Sequence, residues 1–428
     1  MAQSPDVLIL GLNFPPEPTG IAPYTGALAS GLAELGYSVK AHVSHPHYPE
    51  WKIRAGYGQW TRTEHHEQVE VQRLLHYVPA NPRGIRRLLS ELSFGARLSS
   101  RHIGHPRLVI AVSPSLFSTA MALLRVHLIP RRPKVAIWVQ DIYTLGLAEI
   151  GEGSGLVQRI TRWVESRTFR AADRVVVIHE RFKEFLTEEL KVPADRVVVI
   201  HNWTHLPSWA PCEAAEAKEK LGWPSGKTLA VHTGNMGAKQ GLANIIEAAR
   251  LAGHRGVEVQ FLLIGNGGER RTLEESARGI ANVTFIDPLD DDDYRLALAA
   301  ADVLVVNEKP GVATMAVPSK LTSYFAAGRP VVAATDPSGT AASEIIASKA
   351  GVIVPSGDPE ALLNEIKYLA SDKATAKRLG DNAINYRETV LDQKFAIARW
   401  AQIVSEFASI TSAGYRRKWT GQRRPPGD

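Results

Sequence analysis

The residues able to do chemistry in this 428-residue chain fall into a few short segments, each directly after an apolar run. In His232-Thr233-Gly234-Asn235-Met236-Gly237-Ala238-Lys239-Gln240-Gly241, three glycines permit close backbone approach, Asn235 offers an amide, and Lys239 sets a compact charge before a helix expected over 242–251. A lysine at a helix start opposes the helix dipole, which makes sense with an anion between them; a solvated side chain after a loop is the alternative. In Val317-Pro318-Ser319-Lys320 the serine is placed to cap a helix ending at Gly328, so a hydroxyl, free N–H groups and an ammonium meet at one helix N-terminus. That suits a diphosphate, and equally a plain cap with a solvent-facing Lys320. Gly11-Leu12-Asn13-Phe14-Pro15-Pro16-Glu17-Pro18-Thr19-Gly20-Ile21 leads to a helix near Pro23, which reads as a phosphate-approaching loop or as an ordinary proline-rich connection. It is neither a P-loop nor a dinucleotide G-x-G-x-x-G. Gln140 and Asp141 follow an apolar strand, where a carboxylate serves as general base or orients a hydroxyl, or else caps the next helix. Gly265-Asn266-Gly267-Gly268-Glu269 reads as a sharp strand-to-helix turn that shapes the cleft.

Other chemistry finds less support. The histidines at 42, 45, 47, 65 and 66 lack ligand spacing on a helix face, so no metal is expected, and the acidic run 290–293 reads as a helix start. The single cysteine, Cys212, excludes a disulfide framework and a Cys-rich metal site and points to a reducing, cytoplasmic setting. No targeting segment is visible at the start. Residues 108–124 carry no charge, but Ser113-Pro114-Ser115 predicts a strand, a turn and a helix rather than a membrane span. No aromatic-plus-basic pattern for nucleic acid is present.

The elements that must position these residues follow a βαβ grammar. Buried-strand runs at 7–10, 38–43, 108–112, 135–139 and 174–178 alternate with helical stretches, and the grammar restarts with runs at 228–232, 257–264, 283–286, 303–306 and 330–333. This predicts an α/β protein of two Rossmann-like, doubly wound parallel-sheet lobes, with ligands at the carboxyl ends of the strands and a cleft between the lobes. The expected boundaries are 1–205 for the acceptor-side lobe, 206–383 for the nucleotide-binding lobe, 384–410 for a C-terminal helix, and 411–428 for a basic tail without fixed structure.

Together, Asn13-Phe14-Pro15-Pro16-Glu17-Pro18-Thr19-Gly20-Ile21-Ala22-Pro23-Tyr24, Val139-Gln140-Asp141, Gly234-Asn235-Met236-Gly237 with Lys239-Gln240-Gly241, and Pro318-Ser319-Lys320-Leu321 with Ala326-Ala327-Gly328-Arg329-Pro330-Val331 carry a resemblance. From residue 7 to about 410 the chain resembles family 4 glycosyltransferases, in particular the branch that builds bacterial exopolysaccharide and O-antigen units, the colanic-acid type included. The resemblance implies a GT-B fold and transfer with retention of configuration, without metal or cofactor, from a nucleotide-diphosphate sugar to a lipid-linked or glycan acceptor. It places Gly234, Asn235 and Lys239 at the donor diphosphate, adds Pro318, Ser319, Lys320 and Ser323 to that site, brings Gly20 near it, and sets Glu17, Gln140 and Asp141 on the acceptor side. It also implies that the last helix crosses back onto the first lobe. Met315 and Ser323 stand where many members carry a Glu pair, and Gln140 where many carry His.

Such a transfer needs the leaving diphosphate stabilised by Lys239, Lys320 and the Ser319 amide, with Asp141 orienting the acceptor or taking its proton. A UDP-sugar is the first expectation and a GDP-sugar the second. A nucleotide-sugar epimerase and a non-catalytic nucleotide-sugar-binding subunit are the competing readings. The formal charge of +6 is uneven: residues 1–200 hold 24 Lys and Arg against 18 Asp and Glu, while the remainder holds 26 of each. Around Ile85, Leu88, Leu89 and Leu92, interleaved with Arg86, Arg87, Arg97 and Arg101, the excess reads as a basic amphipathic helix for anionic lipid, or as solvated arginines beside a core stripe. The first reading makes the protein peripheral at the inner face of the cell membrane.

Overall fold

The computed structural model describes residues 4–18, 20–113, 115–149, 155–203, 212–311 and 319–419. The chain divides into two compact units, one of residues 1–202 with 393–428 and one of residues 203–392.

The first unit is built on strands β1 (Val7–Gly11), β2 (Val39–Ser44), β3 (Thr61–His66), β4 (Val69–Leu74), β5 (Leu108–Ser113), β6 (Lys134–Val139), β7 (Arg174–Val177) and β8 (Val197–Val199), in the order β3-β4-β2-β1-β5-β6-β7-β8. β1 and β5 are buried along their whole length, as continuous apolar runs in a doubly wound sheet should be. The order reverses between them, which sets a topological switch point at the loop that follows Gly11. The sheet is not wholly parallel. β3 pairs antiparallel with β4 at the edge, its polar Thr-Arg-Thr-Glu-His-His sequence held by pairing and by Glu64, which takes ion pairs from Arg62 and Arg73. The uncharged stretch 108–124 becomes β5 and part of the helix Leu116–His127. Among the described residues no helix is long and apolar enough to cross a membrane.

The expected continuous helix over 384–410 is two helices. One, Lys373–Thr389, belongs to the second unit, and the other, Gln393–Trp419, belongs to the first. The break falls where the N–H groups of Val390 and Leu391 both turn back to the carbonyl of Tyr386, while Leu391 is drawn into the second unit's core. The tail expected from 411 is therefore helical to Trp419, and 420–428 lies outside the described residues. In the first unit Trp400 packs edge-on against Trp138, both fully buried, with ring centroids 5.4 Å apart. Ile397 fills the gap over Gly31, where a Cβ would come within 2.3 Å of its Cδ1.

The second unit is a six-stranded parallel sheet of β9 (Thr228–Thr233), β10 (Val259–Ile264), β11 (Val283–Ile286), β12 (Val303–Asn307), β13 (Val331–Ala334) and β14 (Gly351–Val354), in the order β11-β10-β9-β12-β13-β14. Alternate residues serve two apolar layers. Phe261, Leu263, Val303 and Val305 meet the helices Ala243–His254 and Pro359–Ser371 on one face. Leu262, Ile264, Leu304 and Val306 meet the helices Asp291–Ala300, Ser319–Ala326 and Thr340–Ser348 on the other. Here the order reverses between β9 and β12.

Candidate active site

At the second unit's switch point the loop after β9 is fixed on two sides. On one, the N–H of Gly234 donates to Ile264 O at 2.8 Å, that of Met236 to Asn266 O at 2.9 Å, and that of Glu269 to Met236 O at 2.9 Å. The fit is close: a Cβ on Gly265 would stand 2.1 Å from Gly234 O, and one on Gly267 2.5 Å from Met236 O. The turn from Gly265 to Gly268 is thus a support for the 234–237 loop, a role that requires glycine. On the other side, Asn307 at the end of β12 donates through Nδ2 to Gln240 O (2.8 Å) and Gly241 O (3.0 Å), and accepts on Oδ1 from Asn244 (2.8 Å). Gly241, at φ +56°, lies against Lys309, whose Cα would be 2.8 Å from a Cβ there. Gly234 (φ +109°) and Asn235 are exposed above this support. Lys239 sits on a short 3-10 turn, Ala238–Gln240, with its side chain exposed, and the expected helix begins at Ala243 rather than 242.

Lys320 is the second residue of the Ser319–Ala326 helix and points back under the same loop. Its Nζ lies 3.2 Å from His232 Nε2, and a Cβ on Gly234 would stand 3.8 Å from its Cε and 3.9 Å from its Nζ. His232 is buried, and its Nδ1 lies 3.0 Å from Val305 O. A carbonyl can only accept, so Nδ1 carries the proton and Nε2 turns its lone pair to the ammonium. Burial, with Lys320 beside it, holds the imidazole well below its usual pKa and hence neutral. Burial also pulls the Lys320 ammonium down to about 8, against the opposing pull of the nearby Glu308 carboxylate. Glu308 follows β12 directly, is itself buried, and accepts a short hydrogen bond from Thr335 Oγ1 after β13. His232, Glu308 and Thr335 were not singled out from the sequence. A histidine one residue before the end of an apolar strand, and an acid directly after another, were the available signals.

Of the other expected donor residues, Ser319 is the first residue of its helix, and Ser323 is half-buried one turn on. Pro318 and Met315 lie outside the described residues, as does the Ser319 side chain.

The first unit treats its candidates differently. Glu17 is 2% exposed; its Oε1 accepts the N–H groups of His47 (2.8 Å) and Tyr48 (2.9 Å), and its Oε2 accepts Asn13 Nδ2 (2.9 Å). Through these bonds Glu17, expected on the acceptor side, clasps the loop after β1 to the loop after β2. Gly20, at φ +69°, lies over Tyr48, whose ring would be 3.2 Å from a Cβ. Gln140 is also committed, in a reciprocal amide pair with Asn202 (3.1 and 2.7 Å). Asp141 is exposed, with Oδ1 accepting Ile142 N at 2.9 Å. The next helix is Tyr143–Glu149. Its first N–H groups meet buried Glu165, which accepts Tyr143 N (2.7 Å), Thr144 N (3.3 Å) and, through a short bond, Thr144 Oγ1.

The helix Gly84–Ser99 buries Ser90, Glu91, Phe94, Gly95 and Leu98; of the apolar row Leu88 is half-buried, while Ile85 (75%), Leu89 (50%) and Leu92 (36%) are exposed. Two of the arginines read with it turn inward: Arg97 stacks on Trp60 at 3.7 Å, and Arg101 donates to Gln72. Arg86 stays exposed. A second exposed apolar row, Leu156, Val157, Ile160 and Trp163, lies on the helix Gly155–Ala171 beside Arg159 and Arg162.

Residues 19–203 match the family of glycosyl transferase 4-like domains, and residues 213–386 match the glycosyl transferases group 1. The chain is 32% identical over 335 residues to WcaI of Escherichia coli (strain K12), named as a colanic acid biosynthesis glycosyl transferase, covering 75% of this chain and 81% of that one. Among solved structures, sucrose-phosphate synthase from Thermosynechococcus elongatus superposes with a TM-score of 0.71 at 20% identity, over 95% of this chain and all (100%) of the other. HepE from Anabaena, in complex with UDP, superposes with a TM-score of 0.67 at 16% identity, over 94% of this chain and 100% of the other. These likenesses show the two-lobed GT-B fold.

Proposed function

The chain belongs to the glycosyl transferases, with a 4-like domain followed by a group 1 domain, and from that premise we propose that it moves a sugar from a nucleotide-diphosphate donor to a lipid-linked or glycan acceptor during assembly of a bacterial surface polysaccharide. The observation that carries this reading is the meeting of Lys320, the N-terminus of its helix and the side-chain-free Gly234 at one switch point. An ammonium, free N–H groups and space for close approach are what a diphosphate needs. Lys239 supplies a second cation from the adjacent turn. UDP is the first choice of nucleotide, in keeping with UDP bound to HepE, and GDP the second.

In this reading the donor diphosphate lies over Gly234 at the second unit's switch point. The anomeric carbon–oxygen bond to the diphosphate breaks as the acceptor oxygen bonds on the same face, with retention of configuration. The charge that develops on the diphosphate is met by Lys239, Lys320 and the helix N-terminus, with no metal required of the protein. Exposed Asp141 orients the acceptor hydroxyl or takes its proton, while Glu17 and Gln140 hold the loops around it. The exposed apolar rows at 85–92 and 156–163, with Arg86, Arg159 and Arg162, rest on anionic lipid at the inner face of the cell membrane, where a lipid-linked acceptor is presented.

The test is protection from thermal unfolding by UDP, GDP, ADP and dTDP, followed by transfer of sugar from the protecting nucleotide's conjugates onto lipid-linked acceptors. A nucleotide at 100 times its Kd adds about 2.7 kcal/mol of stability. Binding without hydrolysis or transfer marks a non-catalytic subunit, and conversion of the donor without an acceptor marks an epimerase; either result overturns the proposal.

A further inference from the structure

We propose that His232 is a positioning residue of the donor site: its Nε2 lone pair holds the Lys320 ammonium under Gly234, and the Val305 carbonyl fixes the tautomer that makes this possible. The proposal rests on the donor-site reading above.

The geometry is specific. His232 interrupts an otherwise apolar strand, between Val231 and Thr233, and both of its ring nitrogens are used, Nδ1 toward Val305 O at 3.0 Å and Nε2 toward Lys320 Nζ at 3.2 Å. An apolar residue would satisfy the core at this position. An imidazole adds an acceptor where a buried cation needs one, since an ammonium carries three donors and no acceptor of its own. The surrounding groups fit the task. Glu308 faces Lys320 from the end of β12, with Thr335 from the end of β13 on its carboxylate. Tyr324, on Lys320's own helix, accepts Thr233 N at 2.9 Å, and Tyr294 reaches Thr233 Oγ1 at 3.2 Å from the helix Asp291–Ala300. Burial holds the Tyr324 hydroxyl far above its usual range, and Glu308 is the negative partner on this side. A protonated His232 would face Lys320 as a like charge, so its neutrality and the charge of Lys320 form one device. A diphosphate entering over Gly234 then meets an ammonium already held in place, rather than a mobile lysine that must be ordered on binding.

The experiment measures UDP and GDP affinity by calorimetry from pH 6 to pH 9.5 on the full chain. His232→Asn keeps a donor for Val305 and offers nothing at the place of Nε2, whereas His232→Gln carries an acceptor out to that place. The expected result is that wild-type affinity falls as Lys320 loses its proton near pH 8. His232→Asn should weaken binding by about tenfold at pH 7.5 and move the fall to lower pH, and His232→Gln should return affinity to within about threefold. If Asn fails to fold, His232→Leu takes its place. Wild-type affinity and pH profile in the folded Asn or Leu variant, or no recovery with Gln, overturns the role of His232. Lys320→Met separates this failure from that of the donor site. If Lys320→Met weakens binding while His232→Asn does not, only the His232 proposal falls; if Lys320→Met leaves both nucleotides bound as before, or if neither binds the wild type, the donor-site reading falls and takes His232 with it.

Discussion

The backbone N–H of Lys309 donates to the carbonyl oxygen of Lys239 at 2.8 Å, which ties the loop leaving β12 to the turn after β9 across the switch point. The bond uses only main-chain atoms of Lys239. Its side chain is therefore placed by the fold without contributing to this tie, and its two possible roles can be separated by substitution.

Lys239→Ala should lower kcat/KM on the order of 100-fold, as loss of one charge-stabilising donor does, while leaving the midpoint of unfolding unchanged. Steady-state kinetics alongside thermal unfolding check this. A loss of less than about threefold removes Lys239 from the site.

Asp141 and Glu165 lie close together in the fold but should respond in opposite ways. Asp141→Asn, at an exposed position, should change stability by no more than about 0.5 kcal/mol and lower kcat by about 100-fold. Glu165→Ala leaves the donors of Tyr143 and Thr144 without their buried partner and should cost about 3–5 kcal/mol in urea unfolding. Equal stability losses in the two variants would deny the division of labour between them.

Burial pushes the Glu91 carboxyl up to about 7 from 4.5, against the pull of Arg87 and of hydrogen bonds from Phe117 N and Tyr143. A carboxyl with a raised folded-state value holds its proton longer when folded, so this group's contribution to stability is present below pH 4.5 and is lost as the pH rises to about 7. Glu91→Gln should match the wild type near pH 4.5 and exceed it by about 1–3 kcal/mol at pH 8. Urea unfolding at the two pH values measures the gap, and a gap that does not grow with pH assigns Glu91 an ordinary ionisation.

Ile85→Glu combined with Leu89→Glu should lower binding to vesicles containing anionic lipid by at least about tenfold, with the unfolding midpoint unchanged because both side chains already face water. Co-sedimentation at graded anionic lipid content reads the effect. Binding indifferent to that content, or to the substitutions, removes the membrane from the account.

The parts of the fold legible in the sequence are those with a local cause. The buried strands read as apolar runs because both faces are covered; Lys239 and Asp141 stand out because each follows such a run, and Lys320 because Pro318-Ser319-Lys320 marks a helix start. β3 was not legible, since its polar residues become a strand only through pairing with β4. The partners of the site residues were hidden for a similar reason. His232 reads as core until Lys320, far along the chain, is brought to its Nε2, and Glu165 sits in the middle of one helix with nothing local to mark it as a partner of the start of another. Glu17 stood out as a carboxylate in a conspicuous loop, but its bonds to the backbone N–H groups of His47 and Tyr48 join segments thirty residues apart and had no local signal.

The return of the helix Gln393–Trp419 to the first unit has a consequence for biosynthesis. Residues 203–392 have all their own strands and can fold as soon as they leave the ribosome, but the earlier-made first unit lacks the partner of Trp138 until Trp400 emerges. At roughly 5–20 residues per second that interval lasts on the order of tens of seconds, with the groove over Trp138 and Gly31 open to solvent and to chaperones throughout. The part of the chain that is made first is thus completed last.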